Sequence, residues 1–326
     1  MRKKNEWQIT IHFVQSVILH FLKDTQDYIV IIGSVLNLVK RWLRVVKVEH
    51  ANSIFIKICS LDDTELSSTI LDAVLKSSKP KNLYFGVYLM YKDKKTLEDL
   101  EYAKNLAKTY GSKFYTIAKP LDTNNLGVGR ARKIVDDMYS GQDYVLQIDA
   151  HSWFPWSWDT TLKSLMYYKN PKTILTGYAA PYHYAGRHRQ PKDTGKLMLP
   201  EMTREKTFCE WLPENWRPIY PTTEDPFIPT KFCANFAFGT HKWGEYSGIF
   251  EKAIFFSEEP MQTINLQRKG FKLEYPNIDE ALICHLYAQD INSKGRRKAF
   301  TDYLSEYESN YLMNVMDRHY FESNTS

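Results

Sequence analysis

Strand-like and helix-like segments alternate regularly between residues 54 and 148, and this alternation strongly constrains the fold. Short apolar runs typical of buried strands are separated by segments whose apolar residues recur every three or four positions, as in amphipathic helices. The predicted strands cover 54–59, 83–89, 113–117 and 144–148, and the predicted helices cover 65–77, 96–110 and 126–139. Short connections between such segments favour a largely parallel sheet. The sequence therefore predicts an α/β fold with a mixed, mostly parallel sheet flanked by helices.

Three regions are predicted along the chain. Residues 1–50 differ in pattern from the rest of the chain and are predicted to form a helical extension, residues 51–300 the main domain, and residues 301–326 a helical tail. Within the main domain, residues 179–230 are rich in Pro, Tyr, His and Arg and have little periodicity. A long irregular segment in a compact domain is usually functional. We expect it to cover a substrate or to bind an acceptor.

The net charge and the cysteines indicate which ligands the protein binds and in which compartment it lies. The net charge of +5 comes from 43 basic and 38 acidic residues. This charge suits an anionic small ligand, but it is too weak and dispersed to predict nucleic-acid binding. The 4 cysteines lack Cys-x-x-Cys spacing, which argues against a zinc cluster and favours a reducing, cytoplasmic location.

An apolar stretch and a basic, Trp-containing patch lie side by side in residues 28–44. The apolar part is too short to span a bilayer. Two interpretations stay open for this segment. It lies on an anionic membrane surface as a peripheral contact, or it is a helix that packs on the domain or on a partner.

A carboxylate and an imidazole follow the predicted strand 144–148. Asp149 and His151 are two residues apart, so in an extended segment their side chains point the same way. A carboxylate oxygen and an imidazole nitrogen that converge at a strand end form a plausible site for a divalent metal ion. The alternative, a strand-ending Asp followed by an unrelated His, stays open at this point.

The start of the helix before that strand favours an anion. Gly127 and Gly129 allow a ligand to approach the backbone, and Arg130 and Arg132 add positive charge to the helix N-terminus. The two arginines face different directions, so we expect at most one to contact a ligand. The segment lacks the third glycine of a dinucleotide fingerprint and the Gly-Lys-Ser/Thr of a Walker loop.

These motifs occur together in one known family. The chain resembles the GlcNAc-transferases that include the cytoplasmic enzyme acting on hydroxyproline of Skp1 (glycosyltransferase family 60). The matching segments, in order over roughly residues 52–300, are Ile54–Asp63, Leu126–Arg132, Tyr139–His151 with Trp158-Asp159, Phe255–Glu259 and Cys284–Tyr287. Leu61-Asp62 replaces the family's Tyr-Arg, Ser257 replaces a Gly, and the Trp-rich 153–156 is also unusual.

The resemblance implies a GT-A fold and a metal-dependent, retaining glycosyltransferase. The implied donor is a UDP-sugar, with UDP-GlcNAc favoured, and the implied acceptor is a hydroxyl group on a protein or glycan. Asp149, His151 and His285 would bind the metal ion. Two imidazoles and one carboxylate suit Mn²⁺ better than Mg²⁺, which prefers oxygen ligands.

The resemblance also implies roles for residues around the donor. Arg130 or Arg132 would lie near the uridine or its phosphates, and Ser60 and Asp62 near the base or ribose. The full set of predicted substrate-binding residues is Ser60, Asp62, Gly127, Arg130, Arg132, Asp149 and Trp158. The predicted catalytic residues are Glu258 and Glu259, and we favour Glu259 for holding sugar or acceptor hydroxyls.

Two competing functions remain open from the sequence. One is a metal-dependent phosphoesterase that uses Asp149, His151 and His285, although such sites generally need more ligands or a second metal ion. The other is a non-catalytic module that binds a nucleotide-sugar or carbohydrate, and the altered Leu61-Asp62 turn keeps this possibility open.

Overall fold

A computed structural model describes residues 52–122, 127–185, 188–192, 194–202, 216–255 and 257–287. The predictions for the extension 1–50, for a membrane contact through 28–44 and for the tail 301–326 lie outside these residues. The helices in the described ranges are all too short or too polar to cross a bilayer.

The first half of the described chain alternates strand and helix as predicted. The strands are β1 (Ile54–Leu61), β2 (Leu83–Tyr91), β3 (Lys113–Pro120) and β4 (Tyr144–Asp149), and they pair in parallel in the order β3-β2-β1-β4. The helices between them are α1 (Leu66–Leu75), α2 (Lys94–Thr109) and α3 (Val128–Asp136), with a 3₁₀ turn at Pro80–Asn82. In α1, Leu66, Ile70 and Val74 are buried, as their four-residue spacing predicts.

The second half of the chain extends this sheet on the β4 side. The added strands are β6 (Thr173–Thr176), β11 (Phe227–Pro229), β12 (Phe236–Thr240) and β13 (Lys272–Pro276), in the order β11-β13-β6-β12 next to β4. Strand β12 is antiparallel to both β4 and β6, so the sheet is mixed. The helices here are α4 (Trp158–Met166), α5 (His241–Glu245) and α6 (Glu258–Arg268). This architecture confirms the predicted fold class.

The expectation that residues 179–230 are irregular is wrong for much of the described part of this segment. The short strands β7 (Ala180–Ala185) and β8 (His188–Pro191) join β5 (Ser152–Trp153) and β14 (Cys284–His285) in a second sheet of order β5-β14-β7-β8. Strands β9 (Leu199–Met202) and β10 (Trp216–Ile219) form a separate antiparallel pair. Each strand is short and several contain proline, so their sequences show little of the alternation that reveals longer strands.

The core lies on both faces of the large sheet. Ile54, Ile56 and Ile58 of β1 face one apolar cluster, which includes α1 and α2, and Phe55 faces the other, which includes Val135 of α3. Successive strand residues point to opposite faces, so a strand covered on both faces reads as a nearly continuous apolar run. Burying each such side chain stabilises the fold by about 1.5–3 kcal/mol. Strand β4 pairs with β1 along its whole length, and its Val145, Leu146 and Ile148 are buried in the same two clusters.

Candidate metal and donor site

Three potential metal ligands converge at the carboxyl end of β4. Asp149 ends this strand, His151 follows two residues later, and His285 lies in β14 of the second sheet. The Nε2 atom of His285 lies 3.0 Å from Oδ2 of Asp149 and 2.8 Å from Nε2 of His151. One ligand atom from each residue lies within 4.8 Å of the other two. The structure thus brings together the three residues that the resemblance implies as metal ligands.

The pairing of β5 with β14 brings His285 to this position. The two strands are antiparallel, with His285 opposite Ser152, and the N–H of Leu286 donates to the carbonyl of His151 at 3.0 Å. Thr69 of α1 secures the other side, because its hydroxyl donates to the carbonyl of Ala150 at 2.7 Å and accepts from the N–H of Ser152 at 2.9 Å. The segment that carries His151 is therefore held between a helix and a strand.

The geometry and chemistry of the three residues fit a divalent ion. Two donor atoms that bind one ion at about 2.1 Å and at right angles lie about 3 Å apart. The observed separations of 2.8 and 3.0 Å match this value. Burial alone would raise the pKa of Asp149, but the hydrogen bond with His285 and the charge of Arg132 hold it well below its usual range. Asp149 is thus an ionised carboxylate, the form that binds a metal ion.

Asp63 contacts the opposite side of His151. Its Oδ2 lies 2.8 Å from Nδ1 of His151, and its Oδ1 accepts from the N–H of Glu65 at 2.8 Å. In the sequence, Asp63 stands out only as part of the turn after β1. Its position within the matched segment Ile54–Asp63 is the signal that points to it, but a partner 88 positions away cannot be read from that segment.

Arg132 lies beneath the metal ligands and is buried. Its Nη2 donates to Oδ1 of Asp149 at 2.8 Å, its Nε to Oε1 of Glu258 at 2.9 Å, and its Nη1 to the carbonyl of Ile148 at 3.1 Å. Burial opposes its charge, but Glu258 and Asp149 outweigh burial and raise the pKa of Arg132. The guanidinium of Arg132, predicted to lie near the uridine or phosphates, therefore binds protein groups instead. Arg130, the other predicted arginine, is exposed.

The glycines at the start of α3 accommodate a protein loop. The N–H groups of Val128 and Gly129 donate to the carbonyls of Ile254 at 3.0 Å and Ala253 at 2.9 Å. A Cβ atom at Gly129 would lie 2.1 Å from the carbonyl oxygen of Phe250. The prediction that Gly127 and Gly129 let an anion approach this helix start is thus corrected in part. Two of the N–H groups already have protein acceptors, and residues 250–254 occupy the space beside Gly129.

The two predicted catalytic glutamates begin α6 and have different partners. Glu258 accepts from Arg132, and Oε1 of Glu259 accepts from the N–H of Ala234 at 2.7 Å. Burial raises the pKa of Glu259 to about 8, and the hydrogen bond from Ala234 opposes this shift, while the charges of Glu258 and Asp149 add to it. At neutral pH the Glu259 side chain is therefore largely protonated and able to donate a hydrogen bond.

The remaining predicted residues occupy different environments. Ser60 is buried near the end of β1, and its hydroxyl has no hydrogen-bond partner among the described residues. Oδ1 of Asp62 accepts from the N–H groups of Lys92 and Asp93 at 3.0 and 3.2 Å, so this oxygen binds the loop before α2.

The structure places Trp158 in the core, which corrects the prediction that this residue contacts a substrate. Its side chain is only 1% exposed, and its indole N–H donates to the carbonyl of Ala73 at 2.9 Å. The ring packs against Phe154, with the ring centroids 4.8 Å apart. Trp158 therefore stabilises the core next to the second sheet, with its ring enclosed by protein.

A polar cluster that the sequence patterns do not reveal lies beside His151. Arg189 of β8 donates to the carbonyl of Ser152 and to the hydroxyl of Tyr182, the latter at 3.3 Å. Glu65 accepts from the hydroxyls of Tyr182, at 3.2 Å, and Tyr184. These contacts attach the β7–β8 hairpin to the segment that carries His151. All except Glu65 and Ser152 lie in the region predicted to be irregular.

Comparison with solved structures shows the GT-A fold. The crystal structure of GalNAc-T7 with UDP, GalNAc and Mn²⁺ is 12% identical with a TM-score of 0.53, and the match covers 74% of this chain but 44% of GalNAc-T7. This chain thus spans less than half the length of that protein. A mannosyltransferase from Pyrobaculum calidifontis in complex with GDP-Man and Mn²⁺ is 11% identical with a TM-score of 0.48, over 73% of this chain and 57% of its own.

Sequence comparison shows the family. No curated protein matches the chain. The family model described as glycosyltransferase (GlcNAc) matches residues 98–320, which include α3, β4, α6 and all three potential metal ligands. Because this match covers more than half of the 326 residues, the chain belongs to the GlcNAc glycosyltransferase family.

Proposed function

We propose that this protein transfers GlcNAc from UDP-GlcNAc to a hydroxyl group on a protein or glycan, with retention at the anomeric carbon and with the help of Mn²⁺ or Mg²⁺. The observation that carries the proposal is the convergence of Asp149, His151 and His285 at the end of β4 in a chain of this family. Within the family, the ordered motifs favour the branch that includes the Skp1-hydroxyproline enzyme. GalNAc-T7, which shares the fold, was crystallised with UDP and Mn²⁺, and this supports a UDP donor.

The chain's own residues are suited to stabilise a diphosphate leaving group. A bound divalent ion supplies Lewis-acid stabilisation of the charge that develops on the phosphate oxygens. Arg132 keeps Asp149 ionised and oriented through the 2.8 Å contact between Nη2 and Oδ1. Arg130, which is exposed on the first turn of α3, is the candidate for contact with a phosphate.

Hydroxyl groups of the donor have candidate partners on β1 and α6. Ser60, which is buried near the end of β1, and Asp62, in the turn that follows, are the candidates to bind the nucleoside. We favour Glu259 over Glu258 for holding the sugar or the acceptor. Glu258 is already paired with Arg132, whereas the raised pKa of Glu259 lets it donate a hydrogen bond to a sugar hydroxyl at neutral pH.

Release of UDP tests the proposal without knowledge of the acceptor. The full chain would be incubated with Mn²⁺ and, in turn, UDP-GlcNAc, UDP-GalNAc and UDP-glucose, and UDP would be measured with and without EDTA. We expect slow, EDTA-sensitive release that is fastest with UDP-GlcNAc. The absence of both UDP release and a donor-dependent rise in melting temperature, with every donor, would overturn the proposal. Turnover of simple phosphodiesters instead would favour the phosphoesterase.

Asp149→Ala tests the metal assignment. We expect at least a 100-fold loss of UDP release and of Mn²⁺ affinity, because the only carboxylate of the three ligands is removed. His285→Gln is a second variant, which leaves the contact between Arg132 and Asp149 in place. Asp99→Ala, on the surface of α2, is the control and should behave as wild type. Full activity in both site variants would show that these residues do not bind the ion.

A further inference from the structure

Asp63 makes two hydrogen bonds that join the β1–α1 turn to His151. One carboxylate oxygen lies 2.8 Å from Nδ1 of His151, and the other accepts from the N–H of Glu65 at 2.8 Å. Both side chains are only about one fifth exposed, at 23% for Asp63 and 21% for His151. The contact is therefore partly shielded from water, where a charged hydrogen bond holds its geometry better than on an open surface.

This contact determines which nitrogen of His151 carries the proton. An ionised carboxylate only accepts hydrogen bonds, so Nδ1 of His151 must donate. In a neutral imidazole the lone pair is then on Nε2. This Nε2 atom is the one that lies 2.8 Å from Nε2 of His285, at the position where the three ligands converge. The tautomer that Asp63 selects is thus the one that can bind an ion there.

We propose that Asp63 is a positioning residue that sets the tautomer and the ring orientation of His151 and thereby raises the affinity of the site for a divalent ion. The inference rests on the proposed metal-dependent function. Carboxylates that hold a ligating histidine in this way commonly contribute about 10–100-fold to metal affinity. The contact also links the ion to the turn that contains Asp62 and follows Ser60, both proposed to lie near the nucleoside.

Asp63→Asn reverses the polarity of one hydrogen bond while it keeps the shape of the side chain. If the amide oxygen still accepts from Glu65, the amide NH₂ faces Nδ1 of His151 and favours the tautomer with the proton on Nε2, which blocks metal binding. The flipped amide would place its NH₂ against the N–H of Glu65, where two donors oppose each other. The first orientation keeps both contacts and is therefore favoured. We expect the Kd for Mn²⁺, measured from the EPR signal of free Mn²⁺, to rise about 10–100-fold.

Asp93→Asn is a matched control. Oδ1 of Asp93 accepts from the N–H of Lys95 at 2.9 Å, the same bond to the second following residue that Asp63 makes with Glu65, but on an exposed loop before α2. We expect this variant to bind Mn²⁺ as wild type does. The melting temperatures of both variants without metal should change to a similar, small extent, so a difference in Mn²⁺ affinity would not reflect folding.

The tautomer of His151 supplies an independent readout. Long-range ¹H–¹⁵N spectra of the metal-free protein distinguish Nδ1–H from Nε2–H, with the signal assigned by its loss in His151→Gln. We expect Nδ1–H in wild type and a shift toward Nε2–H in Asp63→Asn. If Asp63→Asn keeps the wild-type tautomer, or keeps the wild-type Kd for Mn²⁺, the role of Asp63 is overturned while the proposed function stands. If wild type does not bind Mn²⁺, the proposed function fails as well.

Discussion

At the scale of single residues, the site depends on a buried charge cluster around Arg132. This guanidinium contacts Asp149 at 2.8 Å and Glu258 at 2.9 Å, and its side chain is only 3% exposed. Removing one partner of a buried ion pair leaves an uncompensated charge, which is far more costly than the loss of an exposed pair. Arg132 thus supports the metal ligand Asp149 and one of the two glutamates at the same time.

Arg132→Met tests this role. The variant has an apolar side chain of similar length but leaves the buried Glu258 and the partly exposed Asp149 without their cation. We expect a loss of about 3–5 kcal/mol in the free energy of unfolding. Urea unfolding at pH 7 would measure it. Arg130→Met, two positions away on an exposed face, should stay within about 0.5 kcal/mol of wild type.

The same two variants also distinguish a structural role, in which Arg132 holds Asp149 and Glu258, from direct binding of the donor. If Arg130 reaches the phosphates, Arg130→Met raises the KM for UDP-GlcNAc while stability is unchanged. The opposite result, an Arg132→Met protein of normal stability that has lost donor affinity, would contradict the supporting role and restore the direct phosphate contact that the sequence predicts for Arg132.

At the scale of elements, the start of α3 packs against the loop before α6. Gly129 permits this contact, because a Cβ atom there would lie 2.1 Å from the carbonyl oxygen of Phe250 and 3.0 Å from the amide nitrogen of Ala253. These are backbone atoms, which cannot move as a flexible side chain would. The loop leads directly into α6, so its position also determines where Glu259 lies.

Gly129→Ala tests this packing. We expect the variant to lose about 2–3 kcal/mol of stability, because the loop must move away from the added methyl group, and to raise the KM for the donor. Gly141→Ala is the control: the φ of Gly141 is 104° and a Cβ atom added there would meet no described atom within 4 Å, so only backbone strain of about 1 kcal/mol is expected. Thermal unfolding would compare them, and equal losses in both variants would contradict a specific role for the contact at Gly129.

At the scale of the whole molecule, the proposed metal site joins the two sheets. Asp149 belongs to the large sheet, and His285 belongs to β14 of the second sheet, 136 positions later. An ion bound by both would link the sheets in the folded state only. Binding that is confined to the folded state stabilises it, by about 2.7 kcal/mol at a ligand concentration about 100 times the Kd.

Hydrogen exchange tests this link. We expect Mn²⁺ to slow amide exchange in residues 149–153 and 282–287, and to leave β13 (Lys272–Pro276), which contributes no ligand, nearly unchanged. Ca²⁺, which prefers oxygen ligands, is a suitable control ion. Protection spread evenly over the chain, or protection of 149–153 without 282–287, would contradict a site shared by the two sheets.

The α/β architecture could be predicted because its signals are local. The four residues Leu66, Ile70, Ala73 and Val74 of α1 are buried at helical spacing, and β1 and β2 are long apolar runs. The strands β7, β8, β9 and β10 could not be predicted in this way. Each has 4 to 6 residues, and β7 pairs both with the neighbouring β8 and, at Ala180 and Pro181, with β14 about a hundred positions away.

The sequence by itself determined the alternating core and placed Asp149 and His151 on one side of a strand end, because both depend on periods of two and 3.6 residues. Resemblance to a family was needed to add His285. Only the tertiary structure decided that Arg132 is buried under Asp149, that Trp158 packs in the core and that Asp63 holds His151. These roles arise from contacts between residues 17 to 88 positions apart, and local periodicity carries no information about such partners.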